Sequence, residues 1–521
     1  MPNSSPPNIL FIQADQMTAF ALRQYGNKVI KTPNIDRLAR DGVVFTNAYC
    51  NNPICVSSRF SMMSGQLSSR IAAYDNAAEF PAAIPTFAHY LRDLGYRTCL
   101  SGKMHFVGPD QLHGFEERVT TDIYPSDFGW TPNWLAQGHQ LPPSGMSMRS
   151  VVEAGVSKRS LQIDYDEEVC YQAEVKLWQY ARVADPKPFF LAASFTHPHN
   201  PFTTQPEFWN LYNHADIDMP KVPPIPLEQR DAWAQRYYHL IRNDEHVVTD
   251  EDVRNARHAY YGMCSYIDAL IGRLLKVLDD SGMAGNTVVM FTADHGDMIG
   301  ERGMWYKFNP YEGSIRVPLL VSAPSGRKGV SEPALVSLVD LMPTLLDLAT
   351  NGDPPQTIDR MDGHSLVPLL LGKESSRPNE VMVEFTAEGT FAPALILRRN
   401  QYKYVYCETD PGMLFDLAAD PLELNNLCQS PQHQALAAEM LNEILSRWDP
   451  VTLKKDIIIS QQRRHFLQKA LQSGTVTPWD FQPHFDASKQ YLRTGNSPTQ
   501  VKGLARFPFV APKPPDSPRS V

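Results

Sequence analysis

The sequence predicts an α/β protein, and three observations carry that prediction. Short apolar runs rich in β-branched residues alternate along the chain with stretches of helical period. Two of those runs end directly in residues suited to ligand binding: Asn8-Ile9-Leu10-Phe11-Ile12 shortly before Asp15-Gln16, and Thr287-Val288-Val289-Met290-Phe291-Thr292 before Asp294-His295. Beyond about Lys373 the texture changes to shorter strands, close enough in sequence to pair as antiparallel neighbours.

The opening strand puts a carboxylate at its C-terminal edge, where α/β sheets assemble ligand sites. Thr32-Pro33-Asn34-Ile35-Asp36-Arg37-Leu38-Ala39-Arg40-Asp41-Gly42 has a capping residue, proline at the first helical position, apolar residues at helical spacing and a closing glycine. It predicts a helix with both ends marked. Val43-Val44-Phe45 resumes strand character. The alternation continues with a helix near Thr86 to Leu94, a strand at Arg97 to Leu100, a helix near Glu167 to Ala181, a strand at Pro188 to Phe195 and a long helix from about Asp250 to Asp280. A small second sheet is expected from Val381 to Phe385, Ala394 to Arg399 and Lys403 to Cys407, followed by a helix from about Gln432 to Trp448. The remaining tail has little periodicity after Leu471; Trp479, Phe481, Phe485 and Phe507 favour its packing on the core or on a neighbouring subunit. The expected organisation is a large α/β domain at 1–375, a smaller α+β subdomain at 376–450 and a tail at 451–521.

Composition narrows the class. With 43% hydrophobic and 20% charged residues and a net charge of -9, the chain is neither disordered nor a binder of polyanions, and nucleic acid is not an expected partner. No apolar run approaches the roughly 20 residues that cross a bilayer, so no membrane span is expected. Met1-Pro2-Asn3-Ser4-Ser5 has no basic residue and no extended apolar stretch follows it, so the expected location is the cytoplasm. Seven cysteines without Cys-x-x-Cys spacing give neither a disulfide framework nor a zinc site.

The stretch Asn52-Pro53-Ile54-Cys55-Val56-Ser57-Ser58-Arg59 carries the chemistry. A helix starting near Cys55 places Arg59 one turn on, on the same face, and aims free backbone N–H groups at whatever Cys55 touches, which makes an anion site. A cysteine there has a lowered pKa, so an ordinary thiolate nucleophile is one reading of these residues alone.

Taken with Pro7 to Ile12 and Asp15, the Thr32 to Ala39 helix, Gly102-Lys103-Met104-His105, Thr196-His197-Pro198-His199, Thr292 to Asp297, Leu414-Phe415-Asp416-Leu417 and Asp420-Pro421, this motif resembles the sulfatase branch of the alkaline phosphatase superfamily. The elements come in family order from residue 8 to about 428. The resemblance implies a large mixed central sheet flanked by helices, with a smaller C-terminal antiparallel sheet. It implies that a formylglycine-generating enzyme converts Cys55 to formylglycine, and that one divalent metal ion is held by Asp15, Asp294 and His295 with Gln16 and the modified Cys55. Ca²⁺, Mg²⁺ and Mn²⁺ are the candidates, with His295 favouring Mn²⁺ over Ca²⁺. Arg59 is expected to orient the nucleophile, Lys103 and Lys307 to clamp sulfate oxygens, His197 to protonate the leaving oxygen and His105 to assist the nucleophile. His113, His199 and His258 are read as hydrogen-bonded or solvated.

Two departures qualify the match. Ser57 stands where the modification signature has proline or alanine, and Gln16 stands where many sulfatases have a second aspartate, a replacement shared with choline sulfatases and phosphonate monoester hydrolases. Residues 73–79, 100–118 and 122–130 resemble choline sulfatases in particular. That implies Asn76 near the sulfate, Trp130 and Glu388 near a trimethylammonium group, and a tail that supports a dimer or tetramer. Residues 131–155 depart from that pattern, with Met146 where a histidine is expected. The expected substrate is choline-O-sulfate or a similar small alkyl sulfate. The alternatives are a phosphonate monoester, phosphodiester or aryl sulfate, or metal and oxyanion binding without catalysis.

Overall fold

Strands that are apolar on both faces need cover on both sides, and the computed structural model supplies it. It describes residues 6–125, 127–136, 144–183, 187–474 and 497. In chain order the strands are β1 (Asn8–Ala14), β2 (Val43–Tyr49), β3 (Arg97–Gly102), β4 (Glu117–Arg118), β5 (Gly155–Val156), β6 (Phe189–Ser194), β7 (Thr203–Thr204), β8 (Thr287–Ala293), β9 (Arg316–Val317), β10 (Leu319–Ser322), β11 (Val330–Ser337), β12 (Glu380–Phe385), β13 (Ala394–Arg399), β14 (Tyr402–Cys407) and β15 (Met413–Asp416).

The main sheet runs β11-β2-β10-β8-β1-β6-β3-β4, with β9 paired to β2. Its centre, β8-β1-β6-β3, is parallel, and β10 runs antiparallel between β8 and β2. This is the expected large mixed sheet. Helices Pro33–Asp41, Leu161–Ala181 and Asp250–Asp280 form one packed group, and Cys55–Ser64, Phe87–Asp93 and Leu341–Ala349 another. Between them every residue of β6 and β8, and all but the first of β1, is buried. Strands β12 to β15 form the second, antiparallel sheet, covered by the helix Gln434–Arg447.

The Pro33–Asp41 helix forms where expected, but its cap is not Thr32, which makes no side-chain capping bond. Asp268 of the Asp250–Asp280 helix accepts from the backbone N–H groups of Asn34 (3.0 Å) and Ile35 (2.7 Å) instead. Gly42 is needed for close approach: a Cβ there would lie 2.4 Å from the Val321 carbonyl oxygen. The residues from 451, expected to open the tail, form a helix at Pro450–Leu471, started by Asp449 accepting from the N–H groups of Val451 and Thr452. Residues 475–496 and 498–521, with the four tail aromatics, lie outside the described residues. All seven cysteines are free. No helix among the described residues is long and apolar enough to cross a membrane.

Candidate active site

The parallel register fixes the site. Ala14 pairs with Ala293, so the next residues, Asp15 and Asp294, leave the C-terminal edge side by side. Lys103 follows β3, and the loop 195–199 follows β6, the strand between β3 and β1. Gly102 (φ +107°) brings Lys103 inward, and a Cβ there would lie 1.9 Å from the Ser194 carbonyl oxygen.

The helix Cys55–Ser64 begins on Cys55 and is buried throughout. Its first-turn N–H at Val56 donates to Asn76 Oδ1 at 3.1 Å. One turn on, Arg59 donates from Nε to Asp294 Oδ2 (2.9 Å) and from its terminal nitrogen to Gln13 Oε1, the Lys103 carbonyl and Ser194 Oγ. Cys55 Sγ lies 3.3 Å from both His295 Nε2 and Lys307 Nζ. Burial alone pushes the Cys55 thiol up, but the charges of Lys103, Lys307 and His295, with His105, outweigh it and hold it well below its ordinary range. Surroundings that stabilise a thiolate here equally stabilise an oxyanion in its place.

The ligand atoms of Asp15, Cys55, Asp294 and His295 lie within 4.8 Å of one another, and all four residues are buried. Two carboxylates and an imidazole converging without solvent form a donor set that fits a divalent cation. Lys103 pairs with Asp15 through Nζ, and this charge, with His199 and Arg59, holds the Asp15 carboxyl below its usual range despite burial. Gln16 stands beside this cluster: its Oε1 accepts from Lys307 Nζ (2.7 Å) and its Nε2 donates to Asp297 Oδ2 (2.6 Å).

The two histidines of Thr196-His197-Pro198-His199 part company. His197 Nδ1 is 2.6 Å from Asp166 Oδ2, and Asp166 also accepts from the backbone N–H groups of Thr196 and His197. It is not among the residues that line the cavity beside Cys55. His199 lines it, with Nε2 2.9 Å from Lys307 Nζ and Nδ1 3.1 Å from Tyr124 Oη. His199, read from the sequence as hydrogen-bonded or solvated, is hydrogen-bonded and lines the cavity as well; spacing alone marks both histidines and cannot say which ring does so. His113 and His258 lie elsewhere, stacked on Phe80 and Trp209.

The cavity is about 460 Å³, lined by Cys55, Asn76, His105, Tyr124, Trp130, Met146, His199 and Lys307 among others. His105 lies edge-on to Trp130 at 5.7 Å, and Asp122 holds the His105 backbone N–H at 2.8 Å. Glu388 is buried, outside the lining set, and burial pushes its carboxyl up to about 8. A larger groove of about 530 Å³ near Pro7, Asn286 and Ala323 lacks such a convergence of charged groups, so the chemistry belongs to the smaller cavity.

Residues 7–351 match the family model described as Sulfatase. The chain belongs to the sulfatase family.

Residues 300–449 of this sulfatase also match the model of the N-sulphoglucosamine sulphohydrolase C-terminal region, and residues 455–507 that of the choline sulfatase enzyme C terminal. The sulfatase is 42% identical over 508 residues to the choline-sulfatase of Rhizobium meliloti (strain 1021), covering 96% of this chain and 98% of that one. It is 30% identical over 449 residues to arylsulfatase K of Gallus gallus, with 82% and 79% covered. In fold it is similar to the phosphonate monoester hydrolase of Agrobacterium radiobacter, with TM-score 0.68, 24% identity and 84% and 95% of the two chains covered. Family and relatives together make this sulfatase a sulfuric ester hydrolase.

Proposed function

We propose that this sulfatase cleaves choline-O-sulfate or a similar small alkyl sulfate to the alcohol and inorganic sulfate, using formylglycine made from Cys55. The observation that carries the reading is Cys55 itself. It opens a buried helix within 3.3 Å of Lys307 and His295, at the wall of a cavity that Trp130 also lines. The 42% identity to a protein named choline-sulfatase supports the same substrate class.

Formylglycine at position 55, once hydrated, would supply the paired hydroxyls that serve as nucleophile and as the group releasing sulfate. A divalent cation, Mn²⁺ or Ca²⁺ with Mg²⁺ as third candidate, would be held by Asp15, Asp294, His295 and residue 55 and would supply positive charge to the reacting sulfate. Arg59 fixes Asp294 and so the geometry around residue 55, while Lys103 and Lys307 face the anion where charge develops. Lys307 is oriented by Gln16 Oε1. In this reading His199 takes the role first read for His197 and protonates the departing alkoxide; what supports it is that His199 lines the cavity 2.9 Å from Lys307 Nζ. His105, on the Trp130 side, handles the proton of the nucleophile. Trp130 offers an indole face to a quaternary ammonium, and Glu388, whose carboxyl burial pushes up to about 8, adds a balancing charge when ionised.

Cys55 is 2% exposed, so the converting enzyme meets this segment before the fold closes. The reading keeps the division at 1–375, 376–450 and 451–521 and an oligomer built through the tail. The test is the mass of the tryptic peptide ending at Arg59, expected lighter by the exchange of CH₂SH for CHO, together with turnover of choline-O-sulfate. Unmodified cysteine throughout, in active protein from its own host, defeats the mechanism. A preference for a phenylphosphonate ester over choline-O-sulfate defeats the substrate.

A further inference from the structure

Three segments carry the candidate substrate contacts; one helix holds two of them directly and the third through Trp134. Arg464, on the helix Pro450–Leu471, is buried and donates through both terminal nitrogens to the Asp75 carboxylate (2.5 and 2.7 Å), next to Asn76 and 389 residues away in sequence. The same guanidinium reaches Thr131 Oγ1 at 3.3 Å, next to Trp130. Gln461, one turn earlier, accepts from the Trp134 backbone N–H at 2.9 Å, and the Trp134 indole donates to the Ala387 carbonyl at 2.9 Å, next to Glu388. Thr386 Oγ1 closes the ring by donating to the Tyr74 carbonyl at 2.6 Å. His465 adds a contact to the Pro132 carbonyl.

By contrast, Cys55, Lys103 and Asp294 are set by the sheet edge and the buried helix, and Asn76 keeps its own bond to Val56. The sulfate side is thus fixed by the main sheet and the nucleophile helix, with Asn76 held by Val56 as well as through its neighbour Asp75. On the alcohol side, the Trp130 segment is tied directly to the C-terminal helix and the Glu388 segment through Trp134.

We propose that this helix is the specificity scaffold of the pocket, with Arg464 the positioning residue for the Trp130 segment and Gln461 acting on the Glu388 segment through Trp134. The proposal rests on the substrate reading above. A bidentate buried guanidinium–carboxylate pair fixes both distance and orientation, which a single neutral hydrogen bond does not. A misplacement of about 1 Å at the alcohol side weakens recognition of the alcohol while the sulfate clamp keeps its geometry.

Full-length Arg464→Gln and Gln461→Met are compared with wild type on choline-O-sulfate and on 4-nitrophenyl sulfate, which has no cationic group, and choline binding is measured by calorimetry. In both variants KM for choline-O-sulfate rises about tenfold or more with kcat within about threefold, and choline affinity falls in step. Turnover of 4-nitrophenyl sulfate stays within about threefold. Arg464→Lys recovers only part of the loss, because an ammonium cannot make the paired contact. If Arg464→Gln does not fold, Gln461→Met and Thr131→Val read the same helix from its other contacts. Equal losses on both esters, or no loss on either, overturn the proposal while leaving the substrate reading intact. A wild type that neither turns over choline-O-sulfate nor binds choline defeats the substrate reading, and the proposal with it.

Discussion

Arg59 donates from Nε to Asp294 Oδ2 at 2.9 Å, with both side chains fully buried. The pair joins the nucleophile helix to the end of β8, so the residue that positions Cys55 also positions a candidate metal ligand. Arg59→Met removes the guanidinium from Asp294 Oδ2 and Gln13 Oε1 in a dry site, leaving Asp294 only the backbone N–H groups of Gln16 and His295. The expected cost is about 3–5 kcal/mol in urea unfolding of chelator-treated protein, with kcat/KM down at least about 100-fold. Added Mn²⁺ or Ca²⁺ restores part of the stability by supplying the missing charge. A stability loss indifferent to metal counts against the metal assignment.

His199 and His197 separate by leaving group. His199→Ala lowers kcat for an alkyl sulfate by about 10²–10⁴-fold, because an alkoxide leaves poorly without a proton. 4-Nitrophenyl sulfate, whose phenolate leaves unaided, is affected far less. His197→Ala breaks the bond to Asp166 and lowers the melting temperature, with similar effects on both esters. The reverse pattern restores His197 as the acid.

Glu388 gives a pH signature. Its folded value of about 8 lies above the unfolded carboxyl value of 4.5. Its contribution to stability is therefore full below about pH 4.5 and is lost as pH rises through about 8. Binding a cation runs the other way, since the cation favours the ionised carboxylate; Asp75 opposes that ionisation and Lys307 favours it. Calorimetry should show choline affinity rising from about pH 6 to about pH 9, and Glu388→Gln should flatten the rise. A flat wild-type profile removes Glu388 from the cation site.

Ser57 is buried and its hydroxyl has no hydrogen-bond partner among the described residues. Ser57→Ala removes an unsatisfied polar group and restores the modification signature. Stability should hold or rise by up to about 1–2 kcal/mol, and peptide mass spectrometry should show an equal or larger formylglycine fraction at position 55. A smaller fraction means that serine is the preferred residue here.

Most elements of the main sheet were legible because their signals are local. The apolar run of β1, the β-branched run of β8 and the proline at position 33 each state a conformation within a few residues. The start of the nucleophile helix at Cys55 was legible for the same reason. Other features were not: the cap of the Pro33–Asp41 helix comes from Asp268, and the histidine that lines the cavity is His199, His197 being engaged by Asp166.

By itself the sequence determined the alternation of strands and helices, the strand ends that carry Asp15 and Asp294, the Cys55-to-Arg59 spacing and the family. These depend on short-range periodicity and on residue types at fixed spacing. Only the tertiary structure decided which histidine lines the cavity, that Gln16 accepts from Lys307, and that Arg464 pairs with Asp75 across 389 residues. Those contacts arise from strand register and helix packing, and a buried charge finds its partner through space rather than along the chain.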